Sequence, residues 1–249
     1  MLARRRLDGL FHPVVVVYHD HGGKVEVCRE EIPMTLQVAL VGTDGTVLAS
    51  DKQVGVRNVS PFRSFQAASK LYRALDRGRL TCWAGDDPAA TVAENILKLD
   101  TEDDPHCLEE EMRIVFAKAT QALDGLAPNG EIMLLTTKNP KRIQYVQSRN
   151  GKCSSHTSLD KMVAGHNTNP ATSFIELYYK EGLSVSNLIP LAAHTIVTAG
   201  RYNPAGIGGL EIVICTTQGF EFIKEQKIAD LMKWAKKLDS EIGRRIFRH

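Results

Sequence analysis

The sequence predicts an α+β fold in which hairpins of strands alternate with helices. Three observations carry this. The elements fall in the order strands, two helices, strands, two helices, strands, helix, which is compatible with two packed antiparallel sheets between helical layers. The first hairpin is apolar without strict alternation, as expected of strands covered on both faces. Hydrophobic residues make up 43% of the 249, enough to fill one core.

The first hairpin joins Leu36–Val41 to 47–49 through Thr43, Asp44 and Gly45, an Asp-Gly pair of the kind that supplies positive φ to a tight turn. Its ends carry the interest. The hydroxyl residue Thr35 follows Met34 and starts the first strand, and the carboxylate of Asp51 closes the second. A hairpin returns both to one sheet edge. After Asp51 the chain is expected to leave regular structure over 54–61, and 62–69 leads to Lys70. A second hairpin pairs 70–75 with 79–84 around Asp76, Arg77 and Gly78.

Helices follow. Asp86 and Asp87 offer a cap and Pro88 falls in the first turn, with Val92, Ile96 and Leu99 as the apolar stripe. Asp104 and Pro105 begin a second helix with Leu108, Met112, Val115, Phe116 and Ala119 on one face and Gly125 near its end. Glu109, Glu110 and Glu111 lie near its start, where the helix dipole favours acids. Residues 131–137 and 142–148 form a third hairpin around Asn139 and Pro140, and 158–164 is another strand. Residues 167–170 cap a helix running to about Tyr179. The span 184–198 is helical, with Leu188, Leu191, Ala192 and Ile196 inward, and Pro190 inside it predicts a kink or a late start. Residues 210–216 and 220–223 make a last hairpin turned at Gln218 and Gly219. A closing helix over 224–247 uses Ile228, Leu231, Trp234 and Leu238.

Composition narrows the function. A net charge of +2 gives no reason to expect nucleic acid. The basic residues near the C-terminus are interleaved with Glu221, Glu225, Asp230, Asp239 and Glu241, the pattern of a solvated helix face. The five cysteines are odd in number and lack CxxC spacing, which predicts free thiols in a reducing cytoplasm and no zinc site. No apolar run is long enough to span a membrane, and the region after Arg4, Arg5 and Arg6 lacks the core of a signal peptide. His12, His19 and His21 sit in a segment without elements to hold a metal, so they are read as incidental.

The run Val47, Leu48, Ala49, Ser50 and Asp51, with Thr35 at the matching distance before it, resembles the opening of proteasome β-type subunits and their bacterial relatives in the N-terminal nucleophile hydrolase superfamily. Lys70 opening the third strand and Ala84 with Gly85 ending the fourth match that family in type and order, after a slightly longer loop. The resemblance spans 35–223, with its specific motifs at the start. It implies an αββα sandwich over 35–249 and a threonine-type peptidase. In that reading Thr35 is the nucleophile, Lys70 and Asp51 support it, and the Gly85 N–H meets the oxyanion. The implied chemistry needs no metal or organic cofactor. The implied partners are a peptide or unfolded protein as substrate and further copies in a homo-oligomeric ring or related assembly, an ATPase partner being left open.

A threonine hydroxyl is a poor nucleophile until a base takes its proton. At a true N-terminus the α-amino group, with a pKa of about 7.7–8.0, can serve. Residues 1–34 are therefore expected to be a propeptide, or an upstream extension that is never made because translation starts at Met34. The second shell departs from the family. Gly165, His166 and Asn167 replace its Gly-Ser-Gly, so His166 is a candidate for the serine's role. Asn203 stands where the family has an aspartate. Two other readings stay open: a catalytically weak subunit for assembly or binding, and an amidohydrolase acting on a small amide.

Overall fold

The computed structural model describes residues 15–19, 25–29, 35–56, 63–66, 69–85, 87–99, 105–122, 129–149, 152–158, 160–204 and 206–246. The expected caps Asp86 and Asp104, the helix-ending Gly125, and His12, His21 and Met34 lie outside them. The chain divides into two compact units, Met1–Ile32 and Pro33–His249. The first holds an antiparallel pair, β1 (Val15–His19) and β2 (Val25–Arg29). His19, expected in a loop, ends β1.

In the second unit, β3 (Leu36–Val41) and β4 (Thr46–Ser50) form the first hairpin. A ribbon of β5 (Gln53–Val56) and β6 (Arg63–Gln66) follows, where irregular chain was expected. The glycine and polar residues there hide a pairing that places Val54 opposite Phe65. Then come β7 (Leu71–Ala74), β8 (Arg79–Gly85), α1 (Asp87–Leu97) and α2 (Pro105–Ala122). Next are β9 (Gly130–Thr136), β10 (Ile143–Arg149), β11 (Lys152–Ser158) and β12 (Lys161–Gly165). The remaining elements are α3 (Ser173–Tyr178), α4 (Val185–Tyr202), β13 (Glu211–Thr216), β14 (Gly219–Phe222) and α5 (Glu225–Ile246).

The predicted fold class is the observed one. Five strands in the order β12-β3-β4-β13-β14 form one sheet, and five in the order β11-β10-β9-β8-β7 form the other. Every pairing is antiparallel. Strand period 2 sorts the side chains into layers. Leu36, Val38 and Leu40 face α4 and its neighbours, whereas Ala39 and Leu48 meet Cys82, Met133 and Leu135 of the opposite sheet. Trp83, Ile132 and Leu134 face α1 and α2. The layers are thus helix, sheet, sheet, helix.

Three local expectations are corrected. β11 was unforeseen, because its polar sequence KCSSHTS carries no apolar alternation; the single strand expected over 158–164 is β12, starting at Lys161. Helix α4 starts at Val185 and runs through Pro190, so the late start is absent. In α5 the small Ala235 is fully buried and Trp234 is 42% exposed, so Trp234 does not point fully inward. Gly45 is also needed for a reason other than the turn alone: a Cβ there would lie 2.4 Å from the carbonyl oxygen of Cys215 on β13. Asp44 turns its carboxylate to the Val185 N–H at 2.8 Å and so caps α4, whose own N-cap residue Ser184 makes no side-chain cap. Among the described residues no helix is long and apolar enough to cross a membrane.

Candidate active site

Thr35 directly precedes β3, and Asp51 directly follows β4, its hairpin partner. The turn at Asp44 and Gly45 sets the register, so the hairpin's open end holds both. Lys70 enters from the other sheet, one residue before β7. Its Nζ donates to Thr35 Oγ1 at 2.9 Å and to Asp51 Oδ2 at 2.8 Å. Asp51 is held in turn by the backbone: the Leu36 N–H donates to Oδ1 at 2.9 Å and the Gln53 N–H to Oδ2 at 3.0 Å. Lys70 is 1% exposed and Asp51 0%. A buried pair of this kind persists only if both charges are hydrogen-bonded, and here both are.

Burial pushes the Lys70 ammonium below the ordinary lysine range, against the pull of the Asp51 charge and hydrogen bond. Burial pushes the Asp51 carboxyl above the ordinary range, opposed by Lys70 and by the N–H groups of Leu36 and Gln53. A lysine nitrogen that donates to a hydroxyl and is itself held by a buried carboxylate is placed to stabilise that oxygen as it loses its proton.

The other expected residues are placed differently. Gly85 ends β8, directly after Ala84, whose Cβ lies 3.2 Å from the Cβ position of Gly165. Gly165 has φ +85, and a Cβ on it would lie 2.0 Å from the Thr35 carbonyl oxygen, so only glycine fits beside Thr35. His166 reaches Thr35 through its backbone, its N–H donating to the Thr35 carbonyl at 2.8 Å. Its ring lies 3.4 Å from the Asn169 amide instead, and burial holds its pKa below the usual histidine value. Asn203 follows α4 and spends its Oδ1 on the Gly206 N–H at 3.1 Å, while its buried Nδ2 has no partner among the described residues. The Asn203 side chain makes no hydrogen bond to Thr35, Asp51 or Lys70.

Sequence reading missed two polar side chains in the same region. Gln37 Nε2 donates 2.7 Å to the Trp83 carbonyl, tying β3 to β8 two residues before Gly85. Glu131 on β9 accepts the Gly165 N–H at 2.8 Å and pairs with Arg149 at 2.8 Å. Each sits at a strand position facing a closed interior, and a polar residue at such a position is the one local signal that could have found them.

No family model and no curated protein matches the chain. Solved structures do resemble it. Anbu (ancestral beta-subunit) from Yersinia bercovieri superposes with a TM-score of 0.64 at 15% identity, covering 84% of this chain and 97% of that one. An Anbu mutant from Hyphomicrobium sp. strain MC1 gives 0.63 at 15%, covering 84% and 96%. The chain therefore shares the fold of these Anbu structures. The expected membership among proteasome β-type subunits and their bacterial relatives is corrected on these findings. With no family match and 15% identity, the likeness is one of fold. Motifs at one sheet edge do not carry a family when the pattern of burial alone can sustain the architecture.

Proposed function

We propose that the chain is a hydrolase that cleaves peptide bonds through Thr35 as an N-terminal nucleophile. The observation that carries this is the contact of Lys70 Nζ with both Thr35 Oγ1 and Asp51 Oδ2. The Thr35 hydroxyl attacks the scissile carbonyl carbon, and its proton passes to the α-amino group of a free Thr35. Lys70 holds the hydroxyl and favours its ionisation. The resulting oxyanion is met by the Gly85 N–H. The C–N bond then breaks, the leaving amine takes the proton, and an ester on Thr35 is left. Water, giving its proton to the α-amino group, attacks that ester; the bond from the acyl carbon to Oγ1 breaks, Oγ1 takes the proton back from the α-amino group, and the acid is released.

This chemistry requires Thr35 to be N-terminal, so residues 1–34 are absent from the active form, either cleaved off or never made. With them attached, the nitrogen of Thr35 is an amide and cannot accept a proton at neutral pH. Met34 precedes Thr35, where a glycine would permit the strained turn of self-cleavage, so autolysis is slow. The test compares the full chain with a chain begun at Met34, from which methionine is removed before threonine. Mass spectrometry should find a free Thr35 in the second form only. Peptide hydrolysis and reaction with a peptide boronate should follow it. Full activity with the extension intact would rule out the amine of Thr35 as base.

A second reading, a weakly active subunit used for assembly or binding, is favoured by one specific feature. The Asn203 Oδ1 is committed to Gly206 and the His166 ring to Asn169, and neither side chain bonds Thr35. Failure of Thr35 to react with the boronate would favour it. On either reading light scattering should give a particle of many copies.

A further inference from the structure

Glu131 has no part in the chemistry above, yet it is 5% exposed and sits between the two sheets' functional ends. Its backbone lies in β9 opposite Ala84, the residue before Gly85. Its side chain crosses to the other sheet, where Oε2 accepts the Gly165 N–H at 2.8 Å. The next peptide, Gly165 to His166, donates its N–H to the Thr35 carbonyl at 2.8 Å. One residue therefore reaches both halves of the site: by register it lies beside the strand that carries the Gly85 N–H, and by carboxylate it holds the end of β12, whose next N–H bonds the Thr35 carbonyl. Arg149 closes the outer side of the same carboxylate through Oε1 at 2.8 Å, and the Arg149 side chain is 61% exposed. The Tyr145 hydroxyl donates to Gln147 Oε1 at 2.8 Å, and burial, together with the Glu131 charge, raises its pKa.

Resting on the reading of Thr35 as nucleophile, we propose that Glu131 is a positioning residue that sets the separation between Thr35 and the oxyanion-binding N–H of Gly85. Apolar contact between sheets resists separation but is non-directional, so it leaves sliding cheap. A charge-assisted hydrogen bond from one sheet to a glycine of the other is directional and short. Gly165 has no Cβ, and its φ of +85 is open mainly to glycine, so the end of β12 has little intrinsic preference for this conformation and depends on such a tie. Misplacement by about 1 Å costs on the order of 10²-fold in rate.

The test uses Glu131→Ala, Glu131→Gln, Arg149→Ala and Thr35→Ala. Amide hydrogen exchange in the full chain reads the tie without any reference to activity. Peptide hydrolysis in the form with a free Thr35 reads its consequence. In Glu131→Ala the Gly165 and His166 amides should exchange about tenfold faster or more, with the β3 and β4 amides unchanged. Its kcat should fall on the order of 10²-fold, with KM within about threefold and the pH profile unmoved. Glu131→Gln keeps an acceptor oxygen and should restore both readouts to within about fivefold. Arg149→Ala should leave kcat within about threefold, since the Gly165 bond survives.

Unchanged exchange in Glu131→Ala would overturn the proposal, as would faster exchange with unchanged kcat. So would a glutamine variant as slow as the alanine one, or a shifted pH profile, which would make Glu131 a proton-transfer group. Hydrolysis that persists in Thr35→Ala would instead overturn the nucleophile assignment. If the native chain hydrolyses nothing, the exchange result alone decides whether the tie exists.

Discussion

Among the described residues two buried acid–base pairs differ in what else they touch. Lys70 and Asp51 meet at 2.8 Å between the sheets' open ends, and the lysine's other bond goes to a hydroxyl, Thr35 Oγ1. His194 and Asp239 meet at 2.7 Å in the outer helical layer, joining α4 to α5. There the remaining bonds come from Arg201 and Thr198 to the same carboxylate, and Phe174 and Trp234 pack edge-on against the imidazole. The second pair is closed by its neighbours and acts as a strut. The first leaves a hydroxyl oxygen in contact with the lysine. Burial of an acid–base pair is thus common to both, and the contact with a hydroxyl at the sheet edge belongs to the first alone.

Removing that contact should have the largest effect. Thr35→Ala should lower hydrolysis by at least about 10³-fold with little loss of stability. Lys70→Ala and Asp51→Asn should approach the same loss, each measured beside unfolding, since breaking a buried pair costs roughly 3–5 kcal/mol. Full activity in Lys70→Ala would end the parallel with a nucleophile site.

The double variant Asp51→Asn with Lys70→Met separates strut from site. Both charges go together, so chemical denaturation should recover most of the stability lost by either single change, while hydrolysis stays absent. Recovery of hydrolysis would show that the pair was only structural.

The strut should behave in the opposite way. Asp239→Asn should cost about 1–3 kcal/mol and leave kcat within about twofold in the form with a free Thr35. Burial acts to raise the Asp239 pKa, but the bonds from Arg201, His194 and Thr198 outweigh it and hold it below 3.8. A carboxyl depressed on folding adds stability above its unfolded pKa and loses it as pH falls through the folded value. Acid unfolding of the native chain should therefore steepen below pH 3.8, and Asp239→Asn should flatten that slope. Asp51 has the opposite sign: its folded pKa is raised, so its contribution weakens as pH climbs from 3.8 through the folded value.

The smallest effect is expected at the residues that differ from the resembled pattern. His166 serves Thr35 through its backbone N–H, so His166→Ser should keep kcat within a few-fold. With Asn203→Asp added, the rate should match or exceed the native one. A large loss in His166→Ser alone would assign the imidazole a part in proton transfer.

Much of this was legible in the chain. The apolar runs 36–41 and 47–49, the Asp-Gly turn and the residues bounding them predicted that Thr35 and Asp51 share one edge, because hairpin geometry is local. Helices α1 and α2 followed from period and from Pro and Asp at their starts, and α4 and α5 from period alone, again within one or two turns of chain. Lys70 was reached through motif order, and the structure brings it to Thr35. Other features had no local signature. β11 pairs through its backbone, which its polar side chains do not advertise. Asp44 caps a helix 141 residues away, and Gln37 and Glu131 each find a partner on the opposite sheet. The sequence by itself determined the strands and helices that carry an apolar pattern and which of their faces are apolar, since those depend on neighbours a few residues apart. Only the tertiary structure decided which polar groups meet, because a directional bond between distant residues exists only after the sheets have packed and excluded the water that would otherwise satisfy them.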